Sequence, residues 1–151
     1  MNLIELYEQS DFRGVIKEWQ KGQYQITTDQ EYGFVVAASH FRLGNLNEAC
    51  SFCEELDNVL SNNENFLAMY AAILRRMMLL QRAEEIFQRA LELAPKAKDV
   101  RNNYSNLLID LGRNEEAKKI LENLVSEFPD YTDAGINLQR VNGINLCQKM
   151  G

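Results

Sequence analysis

The feature that most restricts this chain is a recurrence of small residues every 34 positions. Ala49, Ala83 and Ala117 stand in step, Pro95 and Pro129 keep the same interval, and Gly44 and Gly112 are separated by twice that interval. A fixed period of this length marks a supersecondary unit stacked on copies of itself. Extending the frame backward puts Val15 in the alanine slot and Trp19 in the slot otherwise held by Cys53, Phe87 and Leu121, with no insertion or deletion. The frame divides the chain into a shortened unit at 1–29, full units at 30–63, 64–97 and 98–131, and a remainder from 132 onward.

Each unit reads as two helices. Over 98–131, Val100, Tyr104, Leu107, Leu108 and Leu111 recur at helical spacing, Gly112 ends the run, and Ala117, Ile120, Leu121, Leu124 and Val125 begin a second stripe. Asn114 is placed to cap that second helix, and Pro129 forbids its continuation. Over 30–63, Thr28 with Glu31 forms a capping-box pattern, Gly44 stops the first helix and Asn45 is set to cap the next. Met78 occupies the turn slot of Gly44 and Gly112, so that turn has to form without glycine's tolerance of positive φ. The segment 132–148, with Ala134, Leu138 and Val141 on one stripe, reads as a single helix that caps the last unit.

This pattern resembles the tetratricopeptide repeat, a 34-residue helix-turn-helix with the spacing W-x2-L-G-x2-Y, then A-x3-F, then P. The unit at 64–97 supplies Leu67-x2-Tyr70-Ala71-x2-Leu74, Ala83-x3-Phe87 and Pro95, with Ala90 in a further small slot. The unit at 98–131 supplies Arg101-x2-Tyr104-Ser105-x2-Leu108, Ala117-x3-Leu121 and Pro129. The unit at 30–63 is looser, with Gly33-x2-Val36-Ala37-x2-His40, Ala49-x3-Cys53, and Ser61 where proline would stand; the first unit keeps only Leu3, Leu6, Val15 and Trp19. The resemblance implies an all-α, right-handed superhelical solenoid of antiparallel hairpins with a C-terminal capping helix. It implies a non-catalytic scaffold that binds a partner's peptide or helix in its concave groove. The alternatives are a structural or homo-oligomerisation module and a regulatory domain of a larger protein.

The small residues have a packing purpose. Two helices of a hairpin, and then the next hairpin, approach closely only where a side chain is nearly absent. Ala37, Ala71 and Ser105 on first helices, with Ala49, Ala83 and Ala117 on second helices, provide those places, and their larger neighbours fill the gaps.

Charge and composition limit the function classes. A formal net charge of −6 with a pI near 4.9 argues against gripping phosphate backbones, and pentatricopeptide arrays, which bind RNA, repeat at 35 and carry basic grooves. No apolar run is long enough to span a bilayer, and the start of the chain lacks the cationic region of a secretory signal. Three cysteines, Cys50, Cys53 and Cys147, cannot all pair within one chain, which suits a reducing, cytoplasmic setting.

Catalytic and metal chemistry find little support. Cys50-x2-Cys53 has the spacing of a redox dithiol or half a zinc site, yet it lies within a helix with no second such pair, and Cys53 falls in a packing slot. His40 takes the slot of Leu74 and Leu108, which reads as a packing histidine without a nucleophile to serve. Met77, Met78, Tyr70 and Tyr104 follow the core stripes, and Glu54, Glu55 and Asp57 read as a solvated outer face. Phosphate-binding glycine loops, HExxH and G-x-S-x-G are absent, and neither an enzyme nor a cofactor is expected.

The groove is the expected place of function, because stacked hairpins leave one concave surface lined by first helices. Off the packing stripe, those helices offer Tyr7, Phe34, Phe41 and Arg42, then Arg75 and Arg76, then Asn102 and Asn106. Phe34 and Phe41 are expected as apolar anchors, the arginines as carboxylate ligands and the asparagines as groups that hold a backbone. The expected partner is therefore a protein or peptide with acidic groups, and reversing Arg75 and Arg76 to glutamate should leave the fold intact while abolishing capture. The chaperone-tail carboxylate clamp of the family is not expected: its lysine, asparagine and arginine slots hold Phe34, Ala38, Met69, Asp99 and Asn103, and starting one unit later yields a single match.

Overall fold

The computed structural model describes residues 1–26 and 28–150, and among these it contains nine helices and no strand. They are α1 (Leu3–Glu8), α2 (Phe12–Trp19), α3 (Gln30–Arg42), α4 (Leu46–Leu60), α5 (Glu64–Arg76), α6 (Leu80–Leu93), α7 (Lys98–Asp110), α8 (Asn114–Glu127) and α9 (Thr132–Met150). The frame fixes their starts: α3, α5, α7 and α9 begin at 30, 64, 98 and 132, and α2, α4, α6 and α8 begin at 12, 46, 80 and 114. The chain is an all-α solenoid of antiparallel hairpins.

All four hairpin turns use one device. Ser10, Gly44, Met78 and Gly112, spaced by 34, have φ of 61°, 81°, 62° and 76°. In each, the left-handed residue's N–H reaches the carbonyl three positions back, and the next residue's N–H reaches five back, as Gly44 to Phe41 and Asn45 to His40 show. This paired closure satisfies the last carbonyls of the first helix. It demands positive φ, which glycine adopts freely; Ser10 and Met78 adopt it at a steric cost. The first hairpin thus obeys the frame more fully than its sequence pattern suggests.

Proline sets where second helices end. Ala94 and Phe128, each preceding a proline, leave the helical region at ψ 73° and 74°, and α6 and α8 stop after 14 residues. Ser61 stands in that slot in the second unit, keeps helical angles at ψ −20°, and follows an α4 of 15 residues.

The expected capping side chains are corrected. Arg113, not Asn114, holds the cap position of α8, and Asn114 is the first helical residue. Asp29 holds the cap position of α3, and Thr28 donates its hydroxyl to the Gln25 carbonyl, so no capping box forms with Glu31. Asn45 does precede α4, but its amide donates to His40 Nδ1 at 3.2 Å. These helices start where tertiary packing requires; Thr28 and Asn45 bond elsewhere, and the Oδ1 of Asn114 is buried without a hydrogen-bond partner among the described residues.

The small-residue contacts are closed: Ala37, Ala49, Ala71, Ala83, Ala90, Ser105 and Ala117 are fully buried. Leu67, Leu74, Phe66, Phe87, Leu108 and Leu121 fill the space between them. The buried apolar side chains fall into three pools. One extends from Ala37 through α4, α5 and α6 to Leu107; a second joins Leu108 to Ala117, Leu124 and Val141; a third joins Leu3, Val15, Val35 and Val36.

Curvature follows from which helices meet. Successive first helices approach closely, α1 to α3, α3 to α5, α5 to α7 and α7 to α9, while the backbones of successive second helices stay apart. Long ion pairs bridge the wider side instead: Arg89 grips Asp57 with bonds of 3.1 and 2.7 Å, and Arg82 lies 3.6 Å from Glu54. Glu54 and Asp57 are therefore not merely solvated. First helices form the inner wall, and second helices the outer one.

Candidate functional site: the inner wall

On the inner wall, side chains meet along a diagonal of 35 residues, because neighbouring first helices are offset by one position relative to the 34-residue frame. Phe41 meets Arg76, Arg75 meets Asp110, and Asn102 meets Asn137. The diagonal sorts the candidate residues into those already engaged and those still open.

Arg75 is engaged. Its Nε donates to Asp110 Oδ2 at 2.5 Å and its Nη2 to Oδ1 at 3.4 Å, tying α5 to α7. The expectation that Arg75 and Arg76 act together as free carboxylate ligands is therefore corrected, because Asp110 already occupies one of them. Arg76 is exposed, and its guanidinium carbon lies 5.2 Å from the centre of the Phe41 ring. The face of Phe41 expected to anchor a ligand carries an arginine. Arg42 is likewise exposed, 5.9 Å from the centre of the Phe12 ring, and Tyr7 packs on that same ring at 5.4 Å and 58°.

Phe34 is half-buried and lines an open recess of about 270 Å³ with Gln30, Glu31, Leu60, Asn63 and Asn65. At the opposite end, Asn102, Asn103, Asn106, Asp133, Ile136 and Asn137 line a recess of about 260 Å³ between α7 and α9. Asn102 is only 4% exposed and accepts a hydrogen bond from Asn137 Nδ2 at 2.9 Å. Asn106 is different: its Oδ1 is buried without a hydrogen-bond partner among the described residues. Beside this recess Tyr131 donates its hydroxyl to Asp99 Oδ1 at 2.7 Å, and burial followed by that carboxylate pushes the phenol well above its ordinary range.

Phe12 and Asn137 were not among the expected site residues. The signal for Asn137 was the 35-residue offset from Asn102, which a search for 34-residue periodicity conceals; Phe12, at the start of α2 and 30 positions before Arg42, lies off that diagonal and had no such signal.

The remaining titratable groups are structural. Cys50 and Cys53 are buried free thiols held in the protonated form by desolvation, and Cys50 also donates to Glu54 Oε1 at 3.6 Å. His40, 9% exposed, stacks on Phe52 at 5.5 Å, and burial holds it below the usual imidazole value against the opposing pull of Glu48. Tyr70 is buried and Tyr104 half-buried as expected, but Met78 is 69% exposed, so the core stripe does not include it. Among the described residues no group of three or more His, Cys, Asp or Glu is arranged to hold a metal ion, and no helix is long and apolar enough to cross a membrane.

Residues 80–139, covering α6 to the first turns of α9, match the tetratricopeptide-repeat family pattern. The fold is similar to that of MamA, with a TM-score of 0.78, 17% identity, and coverage of 94% of this chain and 84% of that one. It is also similar to the first tetratricopeptide domain of Spaghetti (RPAP3) bound to the HSP90 peptide SRMEEVD, with a TM-score of 0.67, 19% identity, and coverage of 73% and 87%. YrrB, described as having an unusual peptide-binding site, has a TM-score of 0.74, 13% identity, and coverage of 85% and 66%. No curated protein matches the sequence.

Proposed function

We propose that this chain, a tetratricopeptide-repeat protein, is a non-catalytic scaffold that holds a segment of a partner protein along the inner wall of its first helices. The observation that carries this reading is Asn106. A buried acceptor without a partner is costly and calls for an explanation. Asn106 lines a recess with three further asparagines, and a turn of its amide toward that recess would present the oxygen to the backbone N–H of an extended segment. Phe34 lines the recess at the other end, Asn102 lines the same recess as Asn106, Arg76 rests on Phe41, Arg42 and Tyr7 meet at Phe12, and Arg75 ties α5 to α7. The peptides held by RPAP3 and the peptide-binding site of YrrB support the same use of the same fold.

The chain is read as one array of units 1–29, 30–63, 64–97 and 98–131, with α9 as a cap. The slots that hold buried Leu67, Ala71 and Leu74 on α5 hold Gly135, Gln139 and Asn142 on α9, so that face carries no large apolar side chain before Leu146. Three free thiols suit a cytoplasmic setting. The acidic balance of the chain disfavours nucleic-acid binding, and the desolvation that keeps Cys50 and Cys53 protonated disfavours thiolate chemistry.

The test fills the groove. Ala72, half-exposed on α5 and one repeat before Asn106, is replaced by tryptophan, and the bound proteins are compared with those of the wild type. Ala72→Trp should keep the helical melt and lose the captured partners; the same partners on both proteins would end the proposal. A second reading, self-association, is favoured by Ile136, Leu146 and Met150 on α9, which are 63%, 58% and 80% exposed. Light scattering that gives the monomer mass at high concentration would dismiss it.

A further inference from the structure

We propose that Arg42 and Arg76 form a two-point seat for an acidic segment of the partner, with carboxylates about three residues apart in an extended chain. This rests on the inner wall being the binding face, as argued above, and names the chemistry that wall selects.

The argument begins from which arginines are paired. Arg75, Arg82, Arg89, Arg101 and Arg113 each have a carboxylate partner. Among the described residues Arg42 and Arg76 have none, on a chain with 22 acidic residues against 16 basic ones, so acids are not in short supply. Arg13 and Arg140 are also without such a partner, but neither rests on an aromatic ring. Arg42 and Arg76 close successive first helices, α3 and α5, in equivalent positions, and each lies on a phenylalanine.

The rings matter for two reasons. A ring within about 6 Å attracts the guanidinium without accepting a forked pair of N–H bonds, which leaves those donors for a carboxylate. It also orders a long side chain before any ligand arrives, so less freedom is lost on binding. The last carbonyls of α3 and α5 place about half a negative charge near each arginine, which a full guanidinium charge outweighs.

Spacing sets the ligand. Neighbouring packed helices lie about 8–10 Å apart, and a segment extended as a polyproline-II helix advances about 3.1 Å per residue and returns to the same face every third residue, so carboxylates three positions apart match the two seats. The general acidity of the protein repels such a segment at long range, which makes the local pair the selective element.

The test uses hexaglutamate and hexaglutamine as probes, read through the side-chain Nε–H resonances of the arginines in the full chain. Hexaglutamate should shift Arg42 and Arg76 saturably and leave Arg75 nearly still, and hexaglutamine should move none. Arg42→Gln and Arg76→Gln should each weaken binding about tenfold, and the double variant should lose saturable binding. Lysine at either site, which keeps the charge and loses the fork, should fall between. Shifts spread evenly over the surface cations, or a double variant that binds as before, would overturn the proposal. If Ala72→Trp loses the captured partners while the double glutamine variant keeps them, the groove stands and only this seat falls.

Discussion

Arg75 on α5 and Asp110 on α7 are joined by a two-pronged ion pair across the inner wall, while Arg76, the very next residue, rests on Phe41 of α3. Adjacent arginines therefore point to opposite neighbours, one as a tie and one as an open group. Both partners of the tie are about a quarter exposed, with side chains at 28% and 25%, so its energy is that of a screened pair. A double-mutant cycle with Arg75→Ala and Asp110→Ala should give a coupling of about 0.5 kcal/mol. Arg75→Glu, which sets two carboxylates together, should destabilise more than Arg76→Glu, and equal melts would contradict the division.

Met78 holds φ 62° where glycine stands in two other hairpins. Relief of left-handed strain by Met78→Gly outweighs the added freedom of the unfolded chain, for a net gain of about 0.5–1 kcal/mol, or roughly 1–4 °C in Tm. Because the side chain is 69% exposed, little packing is lost. A lower Tm would show that Met78 makes a contact worth more than its strain.

Ala83 is fully buried between helices. Ala83→Leu should overpack that contact and cost about 1–3 kcal/mol, read as an earlier denaturant midpoint. An unchanged midpoint would mean that the alanine slot is not a close approach.

Burial holds His40 below its ordinary 6.5, and Asn45 donates to its Nδ1, which must be unprotonated to accept. The depressed native value means that the unfolded chain takes up a proton first as pH falls. The histidine's share of stability is thus complete above about 6.5 and is lost below it. His40→Leu, the residue of the same slot in the next two units, should remove that part of the decline between pH 7.5 and 5.5. Parallel pH profiles for the two proteins would refute the assignment.

Asn106 retains a buried acceptor with no partner. Asn106→Ala, the residue found one and two repeats earlier at Ala72 and Ala38, should raise stability by about 1 kcal/mol while weakening partner capture. A less stable variant would indicate that the amide is satisfied in solution.

Periodicity made the helices legible because close packing enforces it: Ala49, Ala83 and Ala117 must recur or the hairpins cannot nest. Caps were less legible, since Thr28 and Asn45 bond to Gln25 and His40 instead of a helix start, Asn114 falls one position inside α8, and the helix starts are fixed by packing in each case. The inner wall was legible as a set of positions but not as a set of partners. Nothing in the order Arg75-Arg76 reveals which one meets Asp110, because that depends on helices crossing with an offset of one residue.

The division of the apolar interior into one broad central pool and two smaller terminal ones carries a kinetic consequence. A chain built this way opens from its ends, so amide hydrogens in α1, α2 and α9 should exchange with solvent first, and those of α5 and α6 last. The segment bearing Arg76 thus belongs to the slowest-breathing part of the molecule, and Asn106 lies toward the side where the stack loosens sooner.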